Sequence, residues 1–289
     1  MVALNDSLSP GEQARPLPSR RTVIVAGAGG ATWTETWRSR ELLRVMVWRD
    51  FTLRYKQTFV GAGWAVLQPL GLTFVFAVFL GRLVPLPVQG LHYAVFMLPA
   101  MVLWQFFSKS LQVGGVSLST NYDTVTKVFF PRLYLPLAMI AGGLVDFGFA
   151  LIATALVMIF YQSGPGPAIV LAPIFVLMAI VAAIGFAVWF AAFDAKFRDL
   201  RLALPFVMQL WFFITPVVYS VTTIPYKWRW AYHLNPMAGA VEGFRWSLLA
   251  DVPQPAIGGV VLSAVVGLVV MLTGVHYFRR AEGAIVDIL

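Results

Sequence analysis

Six apolar stretches, each long enough to cross a bilayer, decide most of what this chain can fold into. They run roughly over 63–81, 93–113, 133–161, 168–193, 202–221 and 257–278. A helix rises about 1.5 Å per residue, so about twenty apolar residues span the hydrocarbon core. Composition agrees, with 12% charged residues and a mean hydropathy of +0.78. Soluble domains carry about twice that charge. The spans leave little chain for a separate soluble domain. The expected fold is therefore an all-α polytopic membrane protein. The first twenty residues are polar and contain prolines, so no signal peptide is expected. Cysteine is absent, which removes disulfides, thiol nucleophiles and Cys-based metal sites.

Charge placement orients the spans. Seventeen of the 21 Lys and Arg lie in the N-terminal segment, in the loops after spans two and four, and after span six. Arg82, Lys227, Arg229 and Arg245 fall on the other side. Basic residues favour the cytoplasm, so both termini are expected inside. The net charge of +8 flanks apolar spans and forms no long basic tract, which argues against nucleic acid. Residues 1–37 read as a cytoplasmic leader, with one short strand at 22–25. Residues 38–57 read as an amphipathic helix at the membrane surface, rich in Arg and carrying Leu42, Leu43, Met46, Trp48, Phe51 and Leu53. Residues 58–289 form the six-helix transmembrane domain.

Two connections are unusual. The loop after span two holds Asn121, Tyr122, Asp123, Lys127, Val128, Phe129 and Phe130, and Thr120 or Asn121 could cap a short helix stopped by Pro131. Such a helix, exposing Val128, Phe129 and Phe130, is expected to dock into a protein socket. On the other side, residues 222–255 carry Trp228, Trp230, Tyr232, Phe244 and Trp246, the aromatic signature of a membrane interface. Pro236 and Gly239 are expected to break this stretch into two short re-entrant or interfacial helices.

Enzyme chemistry is hard to assemble. Gly27-Ala28-Gly29-Gly30 lacks the third glycine of a dinucleotide loop, no Walker A sequence is present, and His92, His233 and His276 are scattered. Asp146 is the ionisable residue deep in a span. It reads as a proton relay or substrate contact, or as a bond to a neighbouring helix or a cap on a local backbone break near Gly142, Gly143 and Gly148; the latter pair is favoured, because a lone carboxylate makes a poor proton path. Phe74, Phe76, Trp104, Phe106, Phe107, Trp211, Phe212, Phe213 and Tyr219 could stack on sugar faces, although packing or lipid contact explains most single rings.

From Arg49 onward the chain resembles the permease subunit of ABC-2-type polysaccharide exporters, the group serving O-antigen, teichoic acid and capsule. The resemblance rests on five ordered stretches. They are Arg49-Asp50-Phe51-Thr52-Leu53-Arg54-Tyr55-Lys56 with Gly63-Trp64 and Gln68-Pro69-Leu70; Lys127 to Arg132 with Leu135-Pro136-Leu137; Phe197-Arg198-Asp199-Leu200-Arg201 leading to Thr215-Pro216; Leu234-Asn235-Pro236-Met237 with Glu242-Gly243-Phe244-Arg245; and Phe278-Arg279-Arg280 with Glu282.

The resemblance implies a homodimer with its pore at the interface, and two separate ABC ATP-binding subunits that hold ATP and Mg. No cofactor is expected on this chain, and it is not expected to be an enzyme by itself. It implies a bacterial inner (plasma) membrane and a lipid-linked glycan as cargo. Asn121, Tyr122, Asp123, Lys127, Val128, Phe129 and Phe130 then form the coupling helix. Arg49, Asp50, Arg54, Tyr55 and Lys56 belong to the interface helix, and Arg49, Arg54, Lys56 and Arg132 could attract the carrier's pyrophosphate. The nine aromatic residues line the polymer channel, and Trp228, Trp230, Asn235, Pro236, Glu242 and Arg245 mark the gate helices. A drug-exporting ABC-2 permease is the nearest alternative. A secondary transporter would show internal repeats and polar midplane sites, which are not evident.

Overall fold

The computed structural model describes residues 40–56, 61, 63–83, 91–121, 130–166, 168–197 and 199–288. The leader 1–37, its expected strand and residues 122–129 of the coupling loop lie outside these. The regular secondary structure of the described residues is helical, apart from one isolated bridge between Pro165 and Leu249. In chain order the helices are α1 (Arg40–Tyr55), α2 (Gly63–Leu83), α3 (Tyr93–Gly115), α4 (Ser117–Thr120), α5 (Tyr134–Phe160), α6 (Ala172–Asp194), α7 (Leu200–Ile214), α8 (Tyr226–Tyr232), α9 (Pro236–Leu248) and α10 (Ile257–Ile288).

Five helices, α2, α3, α5, α6 and α10, are long and apolar enough to cross a membrane. The sixth expected span differs. Its helix, α7, has 15 residues and covers about 22 Å, short of the roughly 30 Å hydrocarbon core. Helix ends there because Pro216 has no N–H to donate and disfavours a helical Thr215, which is extended at φ −90°, ψ 140°.

Burial separates the hub from the periphery. Inside the protein, 78% of the α3 span is buried, against 11% of α2. Helix α3 packs on α5 and α6, and α6 packs along α10. The outer face of α2 presents Trp64, Phe74, Val78 and Phe79, and that of α7 presents Leu202, Phe206, Leu210 and Phe213.

The α6–α10 seam depends on small residues, because helices in lipid associate by close packing rather than by the hydrophobic effect. Ala182 is fully buried on α6, and a Cβ on Gly267 of α10 would lie 3.9 Å from it. At Gly185 an added Cβ would lie 2.7 Å from the backbone nitrogen of Met271. Backbone cannot yield as a side-chain tip can, so Gly185→Val forces the two helices apart. Overpacking typically costs about 1–3 kcal/mol. The expected result is a markedly lower midpoint in detergent unfolding, whereas Gly148→Ala, where nothing lies within 4 Å, leaves it unchanged.

Residues 222–255 form the two short helices expected, but the break falls differently. Asn235 caps α9 by accepting from Met237 N at 3.0 Å, and Pro236 opens that helix. Gly239 lies inside α9, where its N–H donates to the Ser263 hydroxyl of α10 at 3.1 Å.

Candidate functional site

A groove of about 550 Å³ opens on the side of the bundle between α2, α3 and α7. Its polar wall is a ladder on α3: Gln105, Ser108, Lys109 and Gln112, at i, i+3, i+4 and i+7, fall on one helical face. Gln68 of α2 and Gln209 of α7 add to it. Polar groups at membrane depth are costly unless they face protein or water, so this stripe marks a functional surface. Gln105 Nε2 is buried with no hydrogen-bond partner among the described residues.

The aromatic candidates divide. Phe76, Trp104, Phe212 and Phe213 line the groove, with Phe76–Phe212 and Trp104–Phe212 ring centroids 5.7 and 5.9 Å apart. Phe107 is fully buried against Phe186 and Trp211 and supports the wall from behind. Phe106 lines a small separate recess beside Asp146. Phe74 projects from the outer face of α2 and is 69% exposed. Trp211 packs on Trp104 and Phe186 and donates its Nε1 to Asn235 Oδ1 at 3.1 Å. Within one copy, Phe74, Phe106, Phe107 and Trp211 are therefore not groove-lining residues. Helical spacing decides this, since Phe74 and Phe76 stand on different faces of α2 and Phe106 and Phe107 turn away from the Gln105–Gln112 face.

At the α8 end, residues 215–220 run non-helically through protein, so their carbonyls need partners. Arg245 of α9 supplies them. Its Nη2 donates to Pro216 O at 2.7 Å and Val217 O at 2.8 Å, its Nη1 to Tyr219 O at 3.4 Å, and its Nε to Phe96 O at 3.0 Å. The guanidinium also stacks on the Phe96 ring at 3.9 Å. Tyr93 covers the remaining carbonyl of the run, donating to Val218 O at 3.0 Å. Asn235 joins the same clasp through Thr215 Oγ1 at 2.9 Å. Tyr219 contacts Tyr232 of α8 through the two hydroxyls and lies outside the groove lining. Trp228 and Trp230 stay exposed, as an interface position requires.

At the opposite end, polar ties bracket the loop at 122–129. Arg49 of α1 donates to Asn121 Oδ1 at 3.1 Å, just before it. Just after it, Arg132 donates from Nη1 to the Glu282 carbonyl at 2.6 Å and from its backbone N to Glu282 Oε1 at 3.2 Å. Burial pulls the Arg132 pKa down, with the Glu282 carboxylate opposing. Both arginines thus serve protein contacts, which weakens their reading as pyrophosphate ligands. Asp194 at the end of α6 accepts from Arg201 of α7 at 2.8 Å and from the Ser119 hydroxyl of α4, tying the three helices together.

Of the coupling residues, Tyr122, Asp123, Lys127, Val128 and Phe129 lie outside the described residues, as does the Arg54 side chain. Phe130 is a correction. It is 6% exposed and packs with Leu118, Leu133, Leu135 and Phe278, because Pro131 and the α5 start turn it inward. It is therefore core rather than a docking side chain.

Asp146 has the helix partners that the favoured reading requires, and it is not alone. It is paired with Lys109 of α3 and accepts from the Tyr55 hydroxyl of α1. The cluster joins the interface helix, through α5, to the ladder of the groove.

The family model described as "ABC-2 type transporter" matches residues 41–249. The chain is 30% identical over 194 residues to the O-antigen export system permease protein RfbA of Myxococcus xanthus, covering 66% of this chain and 72% of that one. A Klebsiella pneumoniae O-antigen export system permease protein RfbA is 24% identical over 252 residues, or 86% of this chain and 95% of its own length. The inner membrane transport permease YadH of Escherichia coli K12 is 23% identical over 206 residues, 68% of this chain and 80% of that one. A match over residues 41–249 takes in α1 through α9, the groove and the clasp, and the chain belongs to the ABC-2 type transporter family.

Proposed function

We propose that this chain is the membrane subunit of an ATP-driven exporter that moves a lipid-linked, O-antigen-like polysaccharide out of the cytoplasm. Permeases of this family associate with ABC ATP-binding subunits and are not enzymes themselves. The chain is a multi-pass membrane protein. The observation that carries the reading is the groove. A ladder of amide and hydroxyl side chains runs beside aromatic faces, a surface suited to a hydroxylated polymer. A carrier of small apolar drugs has no use for four glutamines there.

One wall is missing from the groove within a single copy, and the exposed faces of α2 and α7 flank it. A second copy closes it into a pore, giving a homodimer above two ATP-binding subunits. The α1 end is cytoplasmic, with both termini there, and the α8–α9 end is the exit. ATP-driven movement of the coupling loop is passed on at its two ends, through Asn121 to α1 and through Arg132 to α10, so helices shift as rigid bodies. Helix α1 relays its share to the groove through Tyr55, Asp146 and Lys109.

The test is reconstitution of this chain with its ATP-binding subunit in liposomes containing lipid-linked polymer, scoring polymer that becomes accessible across the membrane. Wild type exports polymer and Gln105→Leu/Gln112→Leu exports about tenfold less with ATP hydrolysis retained, as two hydrogen-bonding positions at about 0.5–1.5 kcal/mol each imply. Transport of a hydrophobic dye without polymer would instead establish the drug-export alternative.

A further inference from the structure

Away from the groove, a second cavity of about 570 Å³ lies within one copy, at the α8 end. It is walled by α8, α9, the 3-10 turn at Val221–Thr223 and the chain leading into α10. Its size is that of a small-ligand pocket, and its residues play no part in the clasp except Arg245.

The lining is chemically mixed. Trp230 offers a broad aromatic face and is 63% exposed. Lys227 and Gln254 contribute donors, Thr222 a hydroxyl, and Glu242 a carboxylate. His233 is nearly fully buried, its Nε2 3.7 Å from Glu242 Oε2, and its Nδ1 has no hydrogen-bond partner among the described residues. The ring is held fast, since a Cβ on Gly259 would lie 2.4 Å from its Nε2.

The donor set also says what kind of molecule. Arg229 spends its Nε and Nη2 on the carbonyls of Ile224 and Thr222, and Arg245 spends its donors on the clasp. Lys227 remains to meet a ligand, and the Glu242 carboxylate offsets its charge, so the lining does not select an anion. A neutral sugar meets all the remaining groups: its hydroxyls both donate and accept, and its C–H face stacks on an indole.

We infer that this cavity is a saccharide-binding site, one in each copy, that takes a short segment of neutral glycan through Trp230, Lys227 and Glu242. That the glycan comes from the exported polymer rests on the reading above; the site itself does not. Placed at the exit end and off the pore, it holds sugar units after they emerge.

The experiment is saturation-transfer NMR on the full chain in lipid nanodiscs. The probes are three disaccharides, built from hexose, N-acetylhexosamine and 6-deoxyhexose, with glycerol 3-phosphate as the anionic comparison. At least one disaccharide is expected to bind, and Trp230→Ala to weaken it about three- to tenfold, the range for one stacked ring. Glu242→Gln, which keeps the hydrogen-bonding shape, weakens it less than Glu242→Ala. Val78→Ala, on the outer face of α2 and in neither cavity, leaves binding unchanged. Binding of no disaccharide, equal binding to Trp230→Ala, or preference for glycerol 3-phosphate overturns the inference. Because polymer export is scored separately in liposomes, a failed pocket and a failed export reading are told apart.

Discussion

Replacing Arg245 by Leu is expected to remove most of the folded protein. The side chain satisfies three carbonyls, from Pro216, Val217 and Tyr219, where the chain leaves α7 and has no helical partners of its own, and a fourth from Phe96 of α3. Leu fills part of the volume and satisfies none of them. Each buried carbonyl left unpaired costs about 1–3 kcal/mol, against a total stability of about 5–15 kcal/mol. Arg245→Lys retains charge but cannot fork to Pro216 and Val217 at once, so it recovers only part of the loss. The measurement is the fraction of monodisperse protein after mild detergent extraction, with the unfolding midpoint of what survives. The expected order is wild type, then Lys, then Leu. If Leu matches wild type, the clasp does not hold the α8 end together.

Asp146→Asn is expected to separate ATP hydrolysis from transport. Asn can still accept from Tyr55, but its pairing with Lys109 loses the charge. Lys109 is half exposed and solvent-screened, so the stability cost is modest. The larger effect is on coupling, because this cluster is where α1 and α5 meet the ladder of the groove. A coupling loss of about 1–3 kcal/mol corresponds to export falling about 5- to 150-fold at nearly normal ATP turnover. Lys109→Met in the same chain should add less than its own separate loss, as expected for residues acting as one unit. Independent, additive losses would mean that the pair serves packing alone.

These two side chains also show what the sequence could and could not disclose. The long spans were legible because crossing lipid requires about twenty apolar residues, and no soluble alternative explains such runs. The short α7 was less so: its apolar run continues past Pro216 through Val217 and Val218, and only the backbone shows helix ending at Ile214. Asp146 was conspicuous, but its partners stand 37 and 91 positions away, which no local pattern encodes.

The ladder could have been found. Gln105, Ser108, Lys109 and Gln112 are spaced for one helix face, yet the aromatic residues around them drew the attention. The aromatic set mixed groove, core and outer-face rings because residue type alone does not fix helix rotation. Phe130 was misplaced for a similar reason. Next to a proline, an apolar side chain can point either way, and here the core at Leu118 and Phe278 takes it.

One measurement tests most directly whether polymer travels along the groove. The chain has no cysteine, so a single Gln209→Cys, on the groove wall, gives a unique attachment point for a photo-crosslinker. The complex with its ATP-binding subunit is illuminated during ATP-driven export. The account predicts glycan adducts at Cys in place of Gln209, dependent on ATP, and none at Cys in place of Val78 on the outer face of α2. Export that continues with adducts at the Val78 position and none at the Gln209 position would contradict it.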